Sequence, residues 1–589
     1  MRDSRHILKE TFGFDDFRPG QAQAIGALLV GRPVLAVMPT GAGKSLCYQV
    51  PALALGGLTV VVSPLVALMQ DQVAALRLAG VAADSINSSL DRDANVAAWR
   101  RVTAGETRLL YLAPERLMTE RMLEALGRCD VRLIAVDEAH CISQWGPAFR
   151  PEYEALSRLR GVFPGVPMIA LTATADEATR TDIAAKLFGG DVESLVLGFD
   201  RPNIKLGVMA RGDGRRQLLD FVRVQARASG IVYCLSRKKT EETAAFLEKH
   251  GIAALPYHAG MTKEARDTNQ NRFMTEPGIV MVATIAFGMG IDKPDVAFVF
   301  HTDLPGSLEA YYQEIGRAGR DGRPAQALML FGAADIRMRR LFIDQEEAGE
   351  DHRRRAHARL NTLIGYCETA QCRRQVLLGY FGEAAAPCGN CDNCLDTAPQ
   401  ADGAQEARLV FAAVAQSGAR FGVAHIIDIL RGARTAKLAE RGHDRLASFG
   451  SGKARKKEEW QSLIRQLVAG GFLQPDDHGG LHIAPKGEAL RNSETGFTWR
   501  AQPAAVRTKA SPGMDDLSGD PALLAELKAL RLKLAHERGV PAYVIFSDRS
   551  LIDMAQKRPR SLEDFAEVHG VGAAKLKDFG KIFLALLAP

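Results

Sequence analysis

Val34-Leu35-Ala36-Val37-Met38-Pro39-Thr40-Gly41-Ala42-Gly43-Lys44-Ser45 carries a short apolar run into a turn of small residues, and a stretch of helical period follows. A buried strand that feeds a helix through such a turn is the first half of an α/β unit. Small residues let backbone N–H groups curl around phosphate oxygens, and the helix that follows adds the positive end of its dipole. Lys44 then reaches the β- and γ-phosphates of a nucleotide and Ser45 ligates Mg²⁺, in a G-x-x-x-x-G-K-[ST] pattern whose first glycine is replaced by Met38. Thr40, Gly41, Ala42, Gly43, Lys44 and Ser45 are the candidate phosphate-binding set.

Outward from this loop, apolar runs at 59–62, 109–112, 133–136 and 168–171 alternate with helical stretches up to about residue 197. The pattern restarts with runs at 231–234, 279–282, 296–300 and 327–331. Continuously apolar strands between helices predict parallel sheets covered on both faces, hence two tandem α/β lobes joined near 199–202. The run at 133–136 ends in Asp137-Glu138-Ala139-His140. An acid at the carboxyl end of a strand holds the nucleotide's Mg²⁺, and the next carboxylate orients or deprotonates the attacking water. The second lobe offers Gln313-Glu314-Ile315-Gly316-Arg317-Ala318-Gly319-Arg320. Arginines three apart share a helical face, so Arg317 and Arg320 are candidates to reach a γ-phosphate across the cleft and stabilise its transition-state charge. Lys44, Asp137, Glu138, Arg317 and Arg320 form the candidate catalytic set, with Ser45 and Asp137 on magnesium. A nucleotide held between lobes converts its hydrolysis into cleft opening and closing.

Past residue 335 an Arg-rich helical stretch leads to Cys372, Cys388, Cys391 and Cys394, spaced C-x15-C-x2-C-x2-C. Overlapping C-x-x-C turns wrap thiolates around a tetrahedral ion; four thiolates favour a closed, structural Zn²⁺ site, with an Fe–S cluster as the chemical rival. Cys47, Cys129, Cys141, Cys234 and Cys367 are scattered, as reduced core thiols are. Residues 402–500 are expected to be helices ending in a hairpin with its turn at 476–480, and 501–519, rich in Pro, Ala, Ser and Gly, a linker. The remainder, 520–589, has its own apolar set at helical spacing. The division is therefore 1–198 and 199–335 for the lobes, 336–401 for a metal-stapled module, then 402–500, 501–519 and 520–589.

The whole chain, 589 residues with 47% hydrophobic, 24% charged and 7% aromatic, has the composition of a folded multidomain protein, which excludes disordered, collagenous and small disulfide scaffolds. No run of 18 uncharged apolar residues occurs and Met1 to His6 leads into no apolar signal core, so no membrane partner and a cytoplasmic location are expected. The net charge of +6 is unevenly placed: residues 1–335 carry 38 basic and 38 acidic residues, 336–589 carry 37 and 31. The segment 431–465, with ten Lys and Arg against four Asp and Glu, equals the entire excess. That segment is expected to hold a nucleic-acid backbone.

In order and spacing these residues resemble a superfamily 2 helicase core, and the string from Asp137 to Tyr153, Asp-Glu-Ala-His-Cys-Ile-Ser-Gln-Trp-Gly-Pro-Ala-Phe-Arg-Pro-Glu-Tyr, narrows the resemblance to the RecQ family of DNA helicases. Phe12-Gly13-Phe14 with Phe17-Arg18-Pro19-Gly20-Gln21, Ser63-Pro64-Leu65, Ala113-Pro114-Glu115-Arg116, Leu171-Thr172-Ala173-Thr174, Tyr257-His258-Ala259-Gly260 and Ala286-Phe287-Gly288-Met289-Gly290 resemble its other motifs. The resemblance implies two RecA-like lobes, a zinc module, a winged helix and an all-α HRDC bundle. It implies that Phe14 stacks on adenine, Gln21 bonds its edge and Arg18 supports the nucleotide, with Gln313 counted among the nucleotide contacts. Trp145, Phe149 and Arg150 belong by resemblance to an aromatic-rich loop that senses single-stranded DNA, and Tyr543 to a single-strand contact. Pro147-Ala148 stands where the family usually has His-Asp, which removes a donor, an acceptor and a backbone N–H and implies a stiffer loop. The wing is expected near His478.

The implied activity is ATP-dependent 3′–5′ translocation and unwinding in recombination, repair and replication, with ATP, Mg²⁺ and Zn²⁺, single-stranded and duplex DNA, and by family a single-strand-binding protein and other recombination and repair proteins. A monomer in the bacterial cytoplasm, at the nucleoid, is the matching expectation. A winged-helix regulator with a vestigial motor, or an RNA helicase, are the rival readings; the Lys44, Asp137, Glu138, Arg317 and Arg320 set speaks against the first, and the zinc, winged-helix and HRDC set against the second.

Overall fold

Every residue except 1–2, 65, 88–89, 144–149, 226–227, 288–292, 347–348, 396–400, 477–479, 494, 500–519 and 588–589 is described by the computed structural model of the protein. Trp145, Pro147, Ala148 and Phe149 of the aromatic-rich loop, and His478 of the wing, lie outside the described residues.

The first lobe is a seven-stranded parallel sheet of β1 Val34–Val37, β2 Leu58–Val62, β3 Ala83–Ile86, β4 Leu109–Leu112, β5 Val131–Val136, β6 Met168–Thr172 and β7 Glu193–Val196, in the order β3-β4-β2-β5-β6-β1-β7. The second is a six-stranded parallel sheet of β8 Ile204–Ala210, β9 Gly230–Tyr233, β10 Ala254–Tyr257, β11 Val280–Ala283, β12 Phe298–His301 and β13 Ala325–Phe331, in the order β10-β11-β9-β12-β13-β8. Helices cover both faces, so central strands such as β1 and β9 are buried at every residue.

Four strands have no counterpart among the apolar runs of the sequence: β3, β7, β8 and β10. They are the four edges of the two sheets. An edge needs no continuous apolar run, and β7 and β3 show why. In β7 half-buried residues alternate with exposed ones. In β3 Asp84 is buried and accepts bonds from Arg77 (2.7 Å), Arg101 (2.6 Å) and Thr107 (2.6 Å). Burial works against its charge, but the Arg101 and Thr107 bonds prevail and the carboxyl is held below its usual range.

After β13, helices Ala333–Gln345 and Glu350–Glu368 form a hairpin, and Arg373–Tyr380 leads to the cysteine turns. Cys391 bridges to Leu206 in parallel, so the turns extend the edge of the second sheet. Helices Ala404–Gln416, Val423–Arg431 and Lys457–Ala469 with the antiparallel pair Leu473–Pro475 and Leu481–Ile483 make a winged helix around buried Trp460, whose Nε1 donates to Gly452 O (2.9 Å). Its strand pair flanks the expected turn. The last domain is five helices from Pro521–Arg538 to Ala573–Leu587, around Phe546, Phe565, Phe579 and Phe583. Among the described residues no helix is long and apolar enough to cross a membrane.

Candidate active site at the lobe interface

β1 lies beside β6, and β6 beside β5, so the loop after β1 and the acids after β5 emerge at neighbouring points on the carboxyl edge of the first sheet. The second lobe closes over them. A cavity of about 710 Å³ between the lobes is lined by Phe14, Arg18, Gln21, Thr40, Gly41, Gly43, Lys44, Ser45, Asp137 and Glu138 of the first lobe and by Arg320 of the second. Its size suits a nucleotide.

The loop turns at Gly41 (φ 83°) and Gly43 (φ 77°), in the left-handed region that side chains disfavour. Met38, in place of the first glycine of the pattern, is buried at the end of β1 with its sulfur 3.9 Å from Cys47 Sγ, so it packs under the loop. Arg18 Nη1 donates to Gly41 O, and Gln21 Nε2 to Ala42 O (3.1 Å) and Gly43 O (2.9 Å). Arg18 and Gln21 thus brace the loop from outside. Lys44 Nζ donates to Met38 O at 3.3 Å.

Asp137 is buried. Burial, with Glu138 beside it, pushes its carboxyl up to about 7, and Lys44 only partly offsets this. A carboxylate so poorly compensated beside a second one calls for a cation. Asp137 with the Ser45 hydroxyl is a hard oxygen donor set of the kind Mg²⁺ takes, so these residues fit that ion. Glu138 adopts φ 49°, a strained conformation for a non-glycine residue, at the turn between β5 and the His140 helix.

A polar chain leads from Glu138 across the interface. His140 Nδ1 lies 3.3 Å from Glu138 Oε2 and 2.9 Å from Thr172 Oγ1, and its Nε2 is 3.3 Å from Gln313 Nε2, which donates to Thr174 Oγ1 at 2.6 Å. Burial lowers the His140 pKa. Gln313 therefore sits on this bridge and is not among the residues lining the cavity. Arg317 is buried and is not among the residues lining the cavity, its Nε without a hydrogen-bond partner among the described residues. Arg150 donates through Nη1 to Pro64 O (3.2 Å) and through its N–H to Cys141 O (2.8 Å), fixed to the first lobe where the aromatic-rich loop returns.

Arg201, which the sequence does not single out, clamps the lobes. Its guanidinium donates to Thr40 O (2.9 Å), Gly316 O (3.1 Å), Ala318 O (2.8 Å) and Gly319 O (2.9 Å), tying the phosphate loop to the arginine-bearing turn. Thr40 Oγ1 also donates to Gly316 O (3.0 Å), and a Cβ on Gly316 would lie 2.4 Å from Thr40 Oγ1. Burial lowers the Arg201 pKa to about 10. The only signal for it was its position in the interlobe segment.

The ligand sulfurs of Cys372, Cys388, Cys391 and Cys394 all lie within 4.8 Å of one another, Cys372 and Cys391 at 3.9 Å. A tetrahedron of Zn–S bonds of about 2.3 Å sets sulfurs about 3.8 Å apart, so the four fit the ion. Burial opposes a thiolate at Cys372, yet N–H groups of Gln375 and Cys388 bring its pKa down to about 7.

In the last domain two N–H groups of the Gly570-Val571-Gly572 turn are already bonded, Gly570 to Gly13 O at 2.8 Å and Val571 to Val568 O at 3.2 Å. Tyr543 lines the nucleotide cavity.

Residues 18–183 match the DEAD/DEAH box helicase family, 214–322 the helicase conserved C-terminal domain, 333–395 the RecQ zinc-binding domain, 397–507 the RQC domain and 520–587 the HRDC domain. The chain is 41% identical over 589 residues to the ATP-dependent DNA helicase RecQ of Haemophilus influenzae, covering 99% of this chain and 95% of that one. It is also 41% identical to the protein of that name from Pasteurella multocida, covering 99% and 93%, and 36% identical to that from Bacillus subtilis, covering 99% and 98%. Among solved structures it is similar to Mss116p bound to ssRNA and AMP-PNP, at 18% identity and a TM-score of 0.49 over 62% of this chain and 82% of that one.

Proposed function

The chain belongs to the RecQ family of ATP-dependent DNA helicases, and from that premise we propose that ATP hydrolysis in the interlobe cavity drives 3′–5′ movement along one DNA strand and separates the duplex ahead of it. The observation that carries this reading is the joint lining of one cavity by Lys44, Asp137 and Glu138 from the first lobe and Arg320 from the second.

The N–H groups of the Gly41–Lys44 turn and the Lys44 ammonium bind the phosphates, while Phe14 lies where a base can stack. Mg²⁺, held by Ser45 and Asp137 when bound, supplies positive charge against the phosphate oxygens. Glu138 orients the attacking water. Arg320 and Arg317 stabilise charge gathering on the γ-phosphoryl oxygens, which requires the closed lobes that Arg201, Thr40 and Gly316 hold. Loss of the γ-phosphate removes the group both lobes grip, and the Glu138–His140–Gln313 chain carries that change to the interface. The cleft opens and the lobes shift on their track.

The working division is the one read from the sequence: lobes at 1–198 and 199–335, zinc module 336–401, winged helix 402–500, linker 501–519 and HRDC domain 520–589. Arg434, Lys437, Arg441, Arg445, Lys453, Lys456 and Lys457 are exposed on the winged helix and suit duplex phosphates. Arg455 and Arg465 of the same basic run are instead held by Glu406 and Glu368 (2.5 Å for Arg465). The aromatic-rich loop ending at Arg150 is the proposed single-strand sensor. A monomer at the bacterial nucleoid, working with a single-strand-binding protein and other repair and recombination proteins, is the setting we propose.

Unwinding of 3′-tailed and 5′-tailed duplexes tests the reading. Wild type should open only the 3′-tailed substrate, and Lys44→Ala should lower ATP hydrolysis and unwinding by about 100-fold or more. Unwinding that survives Lys44→Ala, or none by the wild type, defeats it.

A further inference from the structure

The segment between the lobes is gripped from the zinc module, mostly along its backbone. Glu383 accepts from the Phe199 N–H (2.5 Å), and Asn390 Nδ2 donates to Pro202 O (3.1 Å). The buried guanidinium of Arg374 donates to Asp200 Oδ1 (2.7 Å), Arg201 O (2.6 Å) and Ile204 O (2.6 Å). One rigid, planar group therefore ties together three points within 200–204. The Phe199 ring stacks on Phe381 with centroids 4.4 Å apart, and Arg374 itself stands on the helix Arg373–Tyr380, which begins directly after the zinc-site thiol Cys372.

With its side chains the same segment grips the opposite way. Arg201 bonds the carbonyls of Gly316, Ala318 and Gly319 in the arginine-bearing turn and that of Thr40 in the phosphate loop. Asn203 Nδ2 donates to Gly319 O (2.8 Å) and Arg323 O (2.9 Å). A single stretch of chain thus has its backbone fixed by the zinc module and its side chains fixed on the turn that carries Arg317 and Arg320. A guanidinium that meets four carbonyls at once is only as well aimed as the backbone it hangs from, and a displacement of about 1 Å there is felt in the chemistry.

We propose that Arg374 of the zinc module is a positioning residue for ATP hydrolysis: by fixing the backbone of 200–204 it aims Arg201, and through Arg201 it sets Arg320 against the phosphate loop. The inference rests on ATP hydrolysis in the interlobe cavity. Most residues lining that cavity, Lys44 and the phosphate loop among them, belong to the first lobe, so the nucleotide binds without Arg374. Arg320 acts when charge gathers on the γ-phosphate between closed lobes. Loss of Arg374 therefore falls on kcat and spares nucleotide affinity.

The test uses the full-length chain and reads ATP hydrolysis in the presence of oligo-dT, binding of a fluorescent ATP analogue, and zinc content. Arg374→Ala should lower kcat about tenfold, with nucleotide affinity within about twofold of wild type and the zinc retained. Arg201→Ala should lower kcat at least as far, and the double variant should be no slower than Arg201→Ala alone, because one residue acts through the other. Losses that multiply in the double variant, an unchanged kcat in Arg374→Ala, or a loss confined to nucleotide affinity overturn the proposal. If Arg374→Ala does not hold zinc, Asp200→Lys tests the same link from a side chain that is 40% exposed, by setting a like charge against Arg374. A kcat lowered about threefold with zinc retained supports the proposal, and an unchanged kcat overturns it. Failure of the underlying ATP reading looks different: the wild type itself would not hydrolyse ATP, or hydrolysis would survive Lys44→Ala.

Discussion

The zinc module and the C-terminal domain both pack on the motor, but by different physics. The zinc module is joined through buried charge and backbone. Arg374 reaches Asp200 Oδ1 (2.7 Å) and the carbonyls of Arg201 (2.6 Å) and Ile204 (2.6 Å); Glu383 accepts from the Phe199 N–H (2.5 Å); Asp392, salt-bridged to buried Arg373 at 2.6 Å, accepts from the Val208 N–H (2.9 Å). Pulling it away strands Arg374, Glu383 and the Phe199 and Val208 N–H groups, and only Asp392 keeps a charged partner, Arg373, within the module. The C-terminal domain strands little. Asp548 keeps Arg531 (2.7 Å) and Lys528 (3.4 Å) within its own domain when Arg323 leaves, and Lys9 keeps Asp15 (2.6 Å) when Glu567 leaves. One module is built in, the other is seated to come off.

The largest break in this comparison is at the metal. Cys391 is buried and bridged to β8, so Cys391→Ser or strong chelation should release one zinc per chain and open 333–395 to protease. Structural zinc contributes on the order of 10 kcal/mol to small modules, enough to unfold this one. The C-terminal domain should keep its own protease resistance, because its core of Phe546, Phe565, Phe579 and Phe583 is separate. Metal analysis and limited proteolysis read both. A zinc-free chain with an intact module would mean the thiols only pack.

Next is the buried pair. Burial opposes the Arg373 charge, and Asp392 more than offsets it, raising the guanidinium pKa. Asp392→Ala leaves that charge alone and should cost about 3–5 kcal/mol in urea unfolding, whereas Arg323→Ala at the C-terminal seat should cost about 1 kcal/mol or less. Equal losses would erase the distinction.

How far the sequence reveals this arrangement follows the same line between built-in and seated. Where burial is complete the composition records it: β1, β2, β4, β5 and β6 are visible as apolar runs, and the thiolates by their spacing alone. The phosphate loop and Asp137-Glu138 are visible because nucleotide chemistry needs those residue types at the ends of buried strands. The sheet edges are hidden because an edge strand tolerates a Pro256, or an Asp84 whose charge Arg77, Arg101 and Thr107 satisfy. Arg201 is hidden because its partners are carbonyls, which carry no sequence signal. The turn Gly570-Val571-Gly572 suggests N–H groups aimed at phosphate, yet its first N–H is bonded to Gly13, an acceptor more than five hundred residues away. Periodicity cannot see a contact at that range.

The smallest effect sharpens the comparison most, because two amides report on the two interfaces. Gly570 N–H bonds Gly13 O across the C-terminal seat, and Val208 N–H bonds Asp392 Oδ2 across the zinc seat, at 2.8 and 2.9 Å. Raising salt from 0.1 to 1 M shortens the screening length from about 10 to 3 Å. Exposed pairs such as Lys9–Glu567 then lose most of their ~0.2–1 kcal/mol, while pairs excluded from water lose little. Hydrogen exchange at Gly570 should speed up by about two- to fivefold and at Val208 not at all, and Lys9→Glu at low salt should reproduce the Gly570 change alone. Equal acceleration at both amides would mean that the whole motor loosens in salt; no acceleration at Gly570 would mean that its seat is held by the backbone fit at Gly13 and Gly572 and not by charge.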